Sequence, residues 1–290
     1  MPPTPRLKIA KPDIIQAFAQ VDQRVFSRAD VEKILAENRQ FWRLAQATTV
    51  NKFLEFMLEY TGLQEARFEF PQRTELRYTW GDVPTYEVVQ ALRGAGYFTH
   101  YTAIHLHDLT DQVPKTIYLN FEQKLRGGGG QLSQASIHRA FKAKCRVSNR
   151  VATYRDREVT LLNGMNTGEL GVVELETLEH AQLRVTSIER TLIDATVRPI
   201  YSGGVFEVAS AFERARGKFS VNKLVATLRK LNYTYPYHQA IGFYLERANY
   251  KSSQVDLLRQ FEREFDFYLT HRMQQTDYNS RWRLFIPKGF

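Results

Sequence analysis

The sequence has few of the features that identify a class of enzyme, metalloprotein or membrane protein. Its 290 residues include a single cysteine, Cys145, so no disulfide can form within the chain. The surrounding "FKAKCRVSN" contains no second cysteine or histidine that could share a metal with it. No stretch approaches the ~18 apolar residues of a membrane span, and the first residues lack the apolar core of a secretory signal. We therefore expect a cytoplasmic protein without a membrane partner.

Recognisable catalytic motifs are absent as well. There is no GxSxG, no kinase-type motif set and no glycine-serine followed by paired aspartates. The run "RGGGGQ", residues 126–131, lacks the lysine and hydroxyl of a phosphate-binding loop and predicts a flexible segment, or one that orders on an acidic partner or nucleic acid. In "HYTAIHLHD", which begins at His100, a helix would point His105 and His107 about 200° apart, which disfavours one shared metal site. We expect no catalysis, cofactor or metal; the alternative is a nucleic-acid enzyme that uses these histidines.

An excess of positive charge is the first feature that points to a partner. The 40 Lys and Arg against 31 Asp and Glu give a net charge of +9, which suggests an anionic ligand. The excess falls mainly in residues 121–160, where only Glu122, Asp156 and Glu158 are acidic. The basic residues of that segment are Lys124, Arg126, Arg139, Lys142, Lys144, Arg146, Arg150, Arg155 and Arg157. A solvated basic face explains this segment as well as a binding surface does.

Residues 1–82 read as three helices followed by a β-hairpin. "PDIIQAFAQVD" has helical spacing, and "SRADVEKILAE" opens with Ser27 and Asp30 at capping-box positions. "ATTVNKFLEFMLEYTG" is the third and most amphipathic helix. Its inward positions are predicted to be Val50, Phe53, Leu54, Met57 and Leu58. "ARFEF" and "TELRYTW" then alternate as two strands around a short turn, so the order predicts a winged helix-turn-helix domain.

Such a domain favours DNA binding, because a helix with short polar residues at its amino end fits a major groove while a wing reaches phosphates. The residues predicted to contact DNA are Arg43, Thr48, Thr49, Asn51, Lys52 and Arg73. Further candidate cations are Arg39, Arg67 and Arg77. Winged helices also dock other proteins, and the nearly balanced charge of residues 1–82 supports that alternative.

A second domain is predicted over residues 84–290, after the break at "WGDVPT". Its first part mixes helical segments with strand-like runs such as "KTIYLNF", and the chain becomes mainly helical after Ser187. The fold class that follows is α+β, with an amino-terminal winged helix-turn-helix and a larger mixed α/β domain with a helical carboxy-terminal part.

The stretch "VTSIERTLIDATVRPIYSGG" in this second domain combines charge with an apolar frame. Ile188 and Leu192 recur at helical spacing, which leaves Glu189, Arg190 and Asp194 largely on the other arc of the helix. The two acids can therefore flank the arginine, as a structural ion-pair set or a docking face rather than a catalytic one.

Two segments carry a family resemblance. "FTHYTAIHLHDLTDQVPKTIYLN" and "VTSIERTLIDATVRPIYSGG", with Glu189-Arg190-Thr191, Asp194 and the pair Gly203-Gly204, resemble AbiEi-type antitoxins of abortive-infection, type IV toxin-antitoxin systems. The resemblance covers about residues 20–250. It implies a winged helix that represses its own promoter and a larger domain that neutralises a partner nucleotidyltransferase toxin. On this basis Glu189, Arg190, Asp194, Gly203 and Gly204 are expected to brace or dock the antitoxin domain, and the expected partners are duplex promoter DNA and the toxin.

Overall fold

The protein has a mixed α+β fold, as the sequence predicts, in a computed structural model. The structure describes residues 5–124, 132–177 and 180–290. The glycine run 126–131 that the sequence singled out lies outside these residues, as does Arg126. No helix of the described residues is long and apolar enough to cross a membrane.

The secondary structure of the described residues alternates helices and short strands. The helices are α1 (Arg6–Gln20), α2 (Arg28–Asn38), α3 (Val50–Tyr60), α4 (Thr85–Gln90), α5 (His100–Leu106), α6 (Gln134–Lys142), α7 (Ile188–Val197), α8 (Val205–Arg214), α9 (Val221–Leu231), α10 (Tyr237–Arg247) and α11 (Ser252–Arg259). The strands are β1 (Val25–Phe26), β2 (Leu63–Phe70), β3 (Arg73–Trp80), β4 (Tyr97–Phe98), β5 (Thr116–Glu122), β6 (Val151–Tyr154), β7 (Arg157–Gly164), β8 (Val172–Glu176), β9 (Gln182–Thr186), β10 (Phe267–Tyr268), β11 (Thr276–Asn279) and β12 (Leu284–Pro287).

The chain forms two compact units. The first extends to Gly94 and takes in two later segments, Val151–Asp156 and Glu176–Leu183. The second contains the remainder, up to Phe290. The first unit thus continues beyond the boundary at residues 82–84 that composition suggests and includes α4, in which Val88 and Val89 are buried.

The core of the first unit lies among α1, α2, α3 and the sheet β1-β3-β2. Phe18, Phe26 and Phe53 are fully buried in it, and the Trp42 ring stacks on Phe53 with centroids 5.7 Å apart. The predicted cap of α2 is confirmed: the Ser27 hydroxyl accepts from the Asp30 amide at 3.2 Å, and the Asp30 carboxylate accepts from the Ser27 amide at 2.7 Å.

The predicted hairpin is confirmed as β2 and β3. The two strands pair antiparallel from Leu63 opposite Trp80 to Phe70 opposite Arg73, so Pro71 and Gln72 form the turn. One face of β2 is apolar, and the ring of Phe68 stacks on Tyr154 of β6 at 4.6 Å.

The second unit packs helices against a mixed sheet. Five of its strands lie in the order β7-β5-β4-β9-β8, and β5 runs parallel to β7 from Thr116 opposite Glu158 to Glu122 opposite Gly164. From Ile188 to Arg259 the chain is helical, as predicted, and α7 to α11 build the largest apolar core around Leu192, Phe212 and Tyr244.

The end of the second unit differs from the sequence prediction. The helical spacing of "SQVDLLRQFEREFDFYLTH" predicts that the mainly helical region continues through it, but α11 ends at Arg259 and a small sheet, β10-β12-β11, follows. Phe267 is fully buried, with its ring 4.8 Å from that of Phe141. The buried Gln239 amide donates to the carbonyls of Phe265 at 3.0 Å and Trp282 at 2.7 Å. Tertiary contacts therefore outweigh the local helical spacing.

Trp282, just before β12, explains a glycine inside α10. A Cβ atom on Gly242 would lie 2.2 Å from Cη2 and Cζ3 of Trp282, which is fully buried. The indole Nε1 donates to the Glu246 carboxylate at 2.9 Å, so the ring is fixed in place. Only glycine lets the helix approach this ring.

We expect Gly242→Ala to destabilise the second unit by about 1–3 kcal/mol, because overpacking outweighs the ~1 kcal/mol that alanine normally gains within a helix. Denaturant unfolding followed by circular dichroism measures the change. In a Trp282→Phe background the same substitution should cost less, since the smaller ring leaves space for the methyl group. An equal cost in both backgrounds would refute the proposed overlap.

In the first unit, a buried carboxylate on β3 forms the main charge cluster. Glu75 is only 7% exposed and pairs with Arg93 at 2.6 Å and with Arg73 at 3.0 Å. Burial raises the pKa of its carboxyl, but the guanidiniums of Arg93 and Arg73 outweigh burial and lower that pKa to about 2.

Because the folded pKa of Glu75 lies below the ordinary value, its contribution to stability is complete above about pH 4.5 and is lost as pH falls towards 2. We expect Glu75→Gln to weaken the hairpin at pH 7 and to reduce its further loss of stability on acidification. Hydrogen exchange of the β2 and β3 amides at pH 7 and pH 3 measures both effects. Glu69→Gln is the control, since Glu69 is an exposed hairpin carboxylate paired with Arg67. An acid response of Glu75→Gln equal to that of wild type would contradict the assignment.

Candidate functional site

The amino end of α3 presents the polar residues that the sequence predicts to face DNA. Thr49 caps the helix, and its hydroxyl accepts from the Lys52 amide at 3.4 Å. Phe53 and Met57 point into the core, so Asn51 and Lys52 are left exposed. These side chains surround a helix end whose free N–H groups and dipole favour an anion.

The turn before α3 separates a structural arginine from an exposed one. Arg39 donates to the carbonyls of Ala45 at 2.7 Å and Thr48 at 3.1 Å, so it holds the turn. Arg43 is exposed, has a left-handed φ of +50°, and accepts at its carbonyl from Arg6 at 3.2 Å. Arg43 is thus available to an anion, whereas Arg39 is engaged by the backbone.

The arginines of the hairpin are engaged within the first unit. Arg73 is bound to Glu75, and the exposed Arg67 pairs with Glu69 at 2.9 Å. Arg77 donates to the carbonyls of Ala91 at 2.8 Å and Leu92 at 3.0 Å. A phosphate at the hairpin would have to compete with these partners, and for Arg77 with the packing of α4.

In the second unit, Arg190 and Asp194 of α7 form a buried ion pair. Arg190 Nε donates to Asp194 Oδ1 at 2.7 Å, and each side chain is less than a tenth exposed. The sequence pattern left these residues on the outer arc of the helix, but every residue of α7 from Glu189 to Thr196 is buried. The helix is covered because α5, α8, α9 and α10 all pack against it.

Glu189 does not flank Arg190, contrary to the predicted set. Its carboxylate accepts from Lys223 Nζ at 3.4 Å and from the Ser220 amide at 3.4 Å, so it ties α7 to the start of α9. Burial raises the pKa of this carboxyl, but hydrogen bonds from backbone and Ser187 and the charge of Lys223 lower it overall. Successive residues of a helix point about 100° apart, so Glu189 and Arg190 reach different neighbours.

The buried pair is completed by hydrogen bonds from two other segments. The Thr99 hydroxyl donates to Asp194 Oδ2 at 3.0 Å, and Arg190 Nη1 donates to the Leu170 carbonyl at 2.7 Å. Burial lowers the pKa of the Arg190 guanidinium, but Asp194 outweighs burial and raises it. Arg190 therefore stays charged. The network joins α7 to Thr99 at the start of α5 and to Leu170, just before β8.

The pair Gly203-Gly204 shapes the start of α8. Both residues have left-handed φ, +77° and +92°, and Gly204 occupies the cap position of the helix. A Cβ on Gly203 would also lie 2.7 Å from Cγ of Glu207. Glycine is favoured at both positions because the backbone there has a positive φ.

The three histidines of α5 and its end lie in different surroundings. His107 Nε2 donates to the Thr186 carbonyl at 2.6 Å, and burial lowers the pKa of its ring. His105 has a buried Nδ1 without a partner among the described residues. His100 begins the helix with φ +53° and lies against Tyr201, with ring centroids 5.3 Å apart. No group of three metal-ligating side chains suited to hold an ion occurs within the described parts of the chain.

Sequence reasoning missed the residues that complete these clusters. Thr99, Glu122 and Arg93 carry no local motif, and each acts on a residue distant in sequence. Glu122, for example, accepts from the Thr167 amide at 2.7 Å and from the Tyr97 hydroxyl at 3.2 Å. A buried charge in a helix does imply a partner, but spacing alone does not identify it.

Comparisons with known proteins establish the fold alone. No protein-family model and no curated protein sequence matches the chain. Among solved structures, the chain is similar to the crystal structure of the Rv2827c protein from Mycobacterium tuberculosis, with a TM-score of 0.61. The two are 12% identical, and the match covers 96% of this chain and 91% of that one.

We expect Arg190→Ala to destabilise the second unit by ~3–5 kcal/mol, because it leaves the Asp194 carboxylate buried without a counter-charge. The matched control is Arg214→Ala, which removes an exposed pair with Asp111 and should cost under ~1 kcal/mol. Denaturant unfolding of both variants measures the difference. An Arg190→Ala protein as stable as the control would show that the pair does not brace the fold.

Proposed function

We propose that the first unit is a winged helix-turn-helix that binds duplex DNA, within a chain that acts as an autorepressing antitoxin. The observation that carries the proposal is the exposed, capped amino end of α3, with Thr48, Thr49, Asn51 and Lys52 over an apolar core. The element order α1-β1-α2-α3-β2-β3 and the antiparallel sheet β1-β3-β2 support it, since a wing follows the reading helix in that fold.

In this proposal α3 enters the major groove by its amino end. Asn51 is suited to pair with an adenine edge, and Lys52 and Arg43 with phosphates. Arg73 has a smaller role than the sequence alone suggests, because Glu75 already neutralises it.

The alternative is a protein-binding module that never meets DNA. The engagement of Arg67, Arg73 and Arg77 within the unit favours this alternative, because a DNA-binding wing normally offers free cations to phosphates. The two candidates differ in their response to salt, which is steep for DNA binding.

The antitoxin role is assigned to the second unit through the resemblance of its "ERTLID" and double-glycine segments to AbiEi-type antitoxins. The buried positions of Arg190 and Asp194 support an architectural role for these residues in neutralisation. The partner in this proposal is a nucleotidyltransferase toxin encoded beside the antitoxin gene.

We expect Lys52→Ala to weaken binding to promoter and unrelated duplexes alike and to reduce the salt slope by about one, because one phosphate contact is lost. Fluorescence anisotropy of a labelled promoter fragment across a salt series measures both. Arg73→Ala should change the slope less, and Lys230→Ala, at an exposed site of the second unit, should not change it. If Lys52→Ala binds like wild type at every salt concentration, α3 is not the reading helix.

We expect the full chain to restore growth when it is co-expressed with the adjacent nucleotidyltransferase. Lys52→Ala should still neutralise the toxin while repressing the promoter more weakly, since the second unit is unaltered. Arg190→Ala should lose neutralisation and thermal stability together, as an architectural residue does. Loss of neutralisation with an unchanged melting temperature would instead make α7 a contact site.

A further inference from the structure

The second unit contains a cavity to which neither the proposed DNA binding nor the proposed toxin neutralisation assigns a ligand. Its volume is about 480 Å³, within the range of about 300–1,000 Å³ that is usual for small-molecule sites. Asn120 and Asn163 line it at the carboxyl ends of β5 and β7, and these two strands are parallel. Ligands of open α/β sheets bind outside the carboxyl ends of such strands.

Positive charge dominates the cavity wall. Arg146, Arg190 and Arg198 line it, with Asp194 as the one acid among its lining residues. Both Asp194 oxygens are engaged, by Arg190 and by Thr99, so the carboxylate does not repel an anion strongly. The free positive charge is that of Arg146 and Arg198.

Both arginines line the cavity close to Cys145 in the chain or in space. Arg198 Nη1 contacts Cys145 Sγ at 2.9 Å, and Arg146 is the next residue after Cys145. Arg146 is exposed and forms no ion pair within the described chain. Two guanidiniums that line one cavity are suited to hold a phosphate group.

His100 and Tyr201 give the cavity a polar imidazole and an aromatic ring. His100 is 8% exposed, and its Nδ1 is buried without a hydrogen-bond partner among the described residues. A buried polar atom without a partner costs free energy, as does the left-handed backbone of His100, and such costs concentrate at functional sites. The Tyr201 ring beside it, fixed by a hydrogen bond from the Ser148 amide at 2.7 Å, offers an aromatic surface.

We propose that this cavity binds a free mononucleotide, with the phosphate on Arg146 and Arg198 and the base against Tyr201 and His100. The amide of Asn163 and the imidazole of His100 supply the polar groups that read the edges of a base. A simple anion site would not need the aromatic wall or the amides, and an apolar ligand would not need the arginines. The site is independent of the proposed antitoxin function.

The test is isothermal titration of the full-length protein with AMP, GMP, CMP and UMP, and with inorganic phosphate and the four nucleosides as partial probes. At least one nucleotide is expected to bind tenfold or more tightly than phosphate and than its own nucleoside. Absence of nucleotide binding at millimolar concentration overturns the proposal, as does phosphate binding as tight as nucleotide binding.

Substitutions of cavity residues test where the nucleotide binds. Arg198→Gln and Arg146→Gln should each weaken nucleotide binding about tenfold or more, while Lys230→Gln, with the same change of charge outside the cavity, should not. His100→Asn keeps a residue that tolerates left-handed φ and should weaken nucleotide and nucleoside binding but not phosphate binding.

Melting temperatures of the unliganded variants check that each is folded. If Arg198→Gln melts early, Arg146→Gln decides, because its exposed side chain holds no other element in place. Wild-type affinity in a folded Arg146→Gln protein overturns the assignment. The result is separable from the proposed function, since nucleotide affinity is measured on the purified protein and scored independently of promoter binding and growth rescue.

Discussion

The buried pair of Arg190 and Asp194 is the interaction on which the second unit depends. Two charges inside a core are costly to desolvate, so they persist only when each remaining hydrogen-bonding position is filled. Thr99 and the Leu170 carbonyl fill these positions, and in doing so they tie α7 to the start of α5 and to the segment before β8. A helix that is buried on all sides can carry charge only in this way.

The first unit also depends on a buried charge that is neutralised by its partners. Glu75 is buried on β3 and draws Arg93 and Arg73 to it, which ties α4 and the turn that follows it to the hairpin. Some of the basic residues counted in the sequence are therefore already paired within the unit and are not free to bind an anion. Arg77 is a further example, since its guanidinium caps two carbonyls at the end of α4. In the proposed DNA complex, affinity would then rest on the cations that remain exposed, chiefly Lys52 and Arg43.

The cavity of the second unit differs from both clusters because its polar groups are incompletely satisfied. Around Arg190 the ion pair is supported by hydrogen bonds with Thr99 and the Leu170 carbonyl. At His100 the backbone is strained and a ring nitrogen has no partner among the described residues. Natural proteins break local rules mainly at functional or strained sites, which agrees with the nucleotide site proposed here.

The sequence by itself determined the local features of the fold. Ser27 and Asp30 define the start of α2, alternation defines the hairpin around Pro71 and Gln72, and spacing places Phe53 and Met57 inward on α3. Each of these depends on residues within about eight positions, and so periodicity and capping chemistry were enough.

Only the tertiary structure decided which charges are free and where chain segments meet. Glu189 turns to Lys223 rather than to Arg190, β10 lies in a segment whose spacing is helical, and His100 meets Tyr201 a hundred positions away. The physical reason is that a buried polar group takes whichever partner the packing brings within about 3 Å, and local spacing does not contain that information.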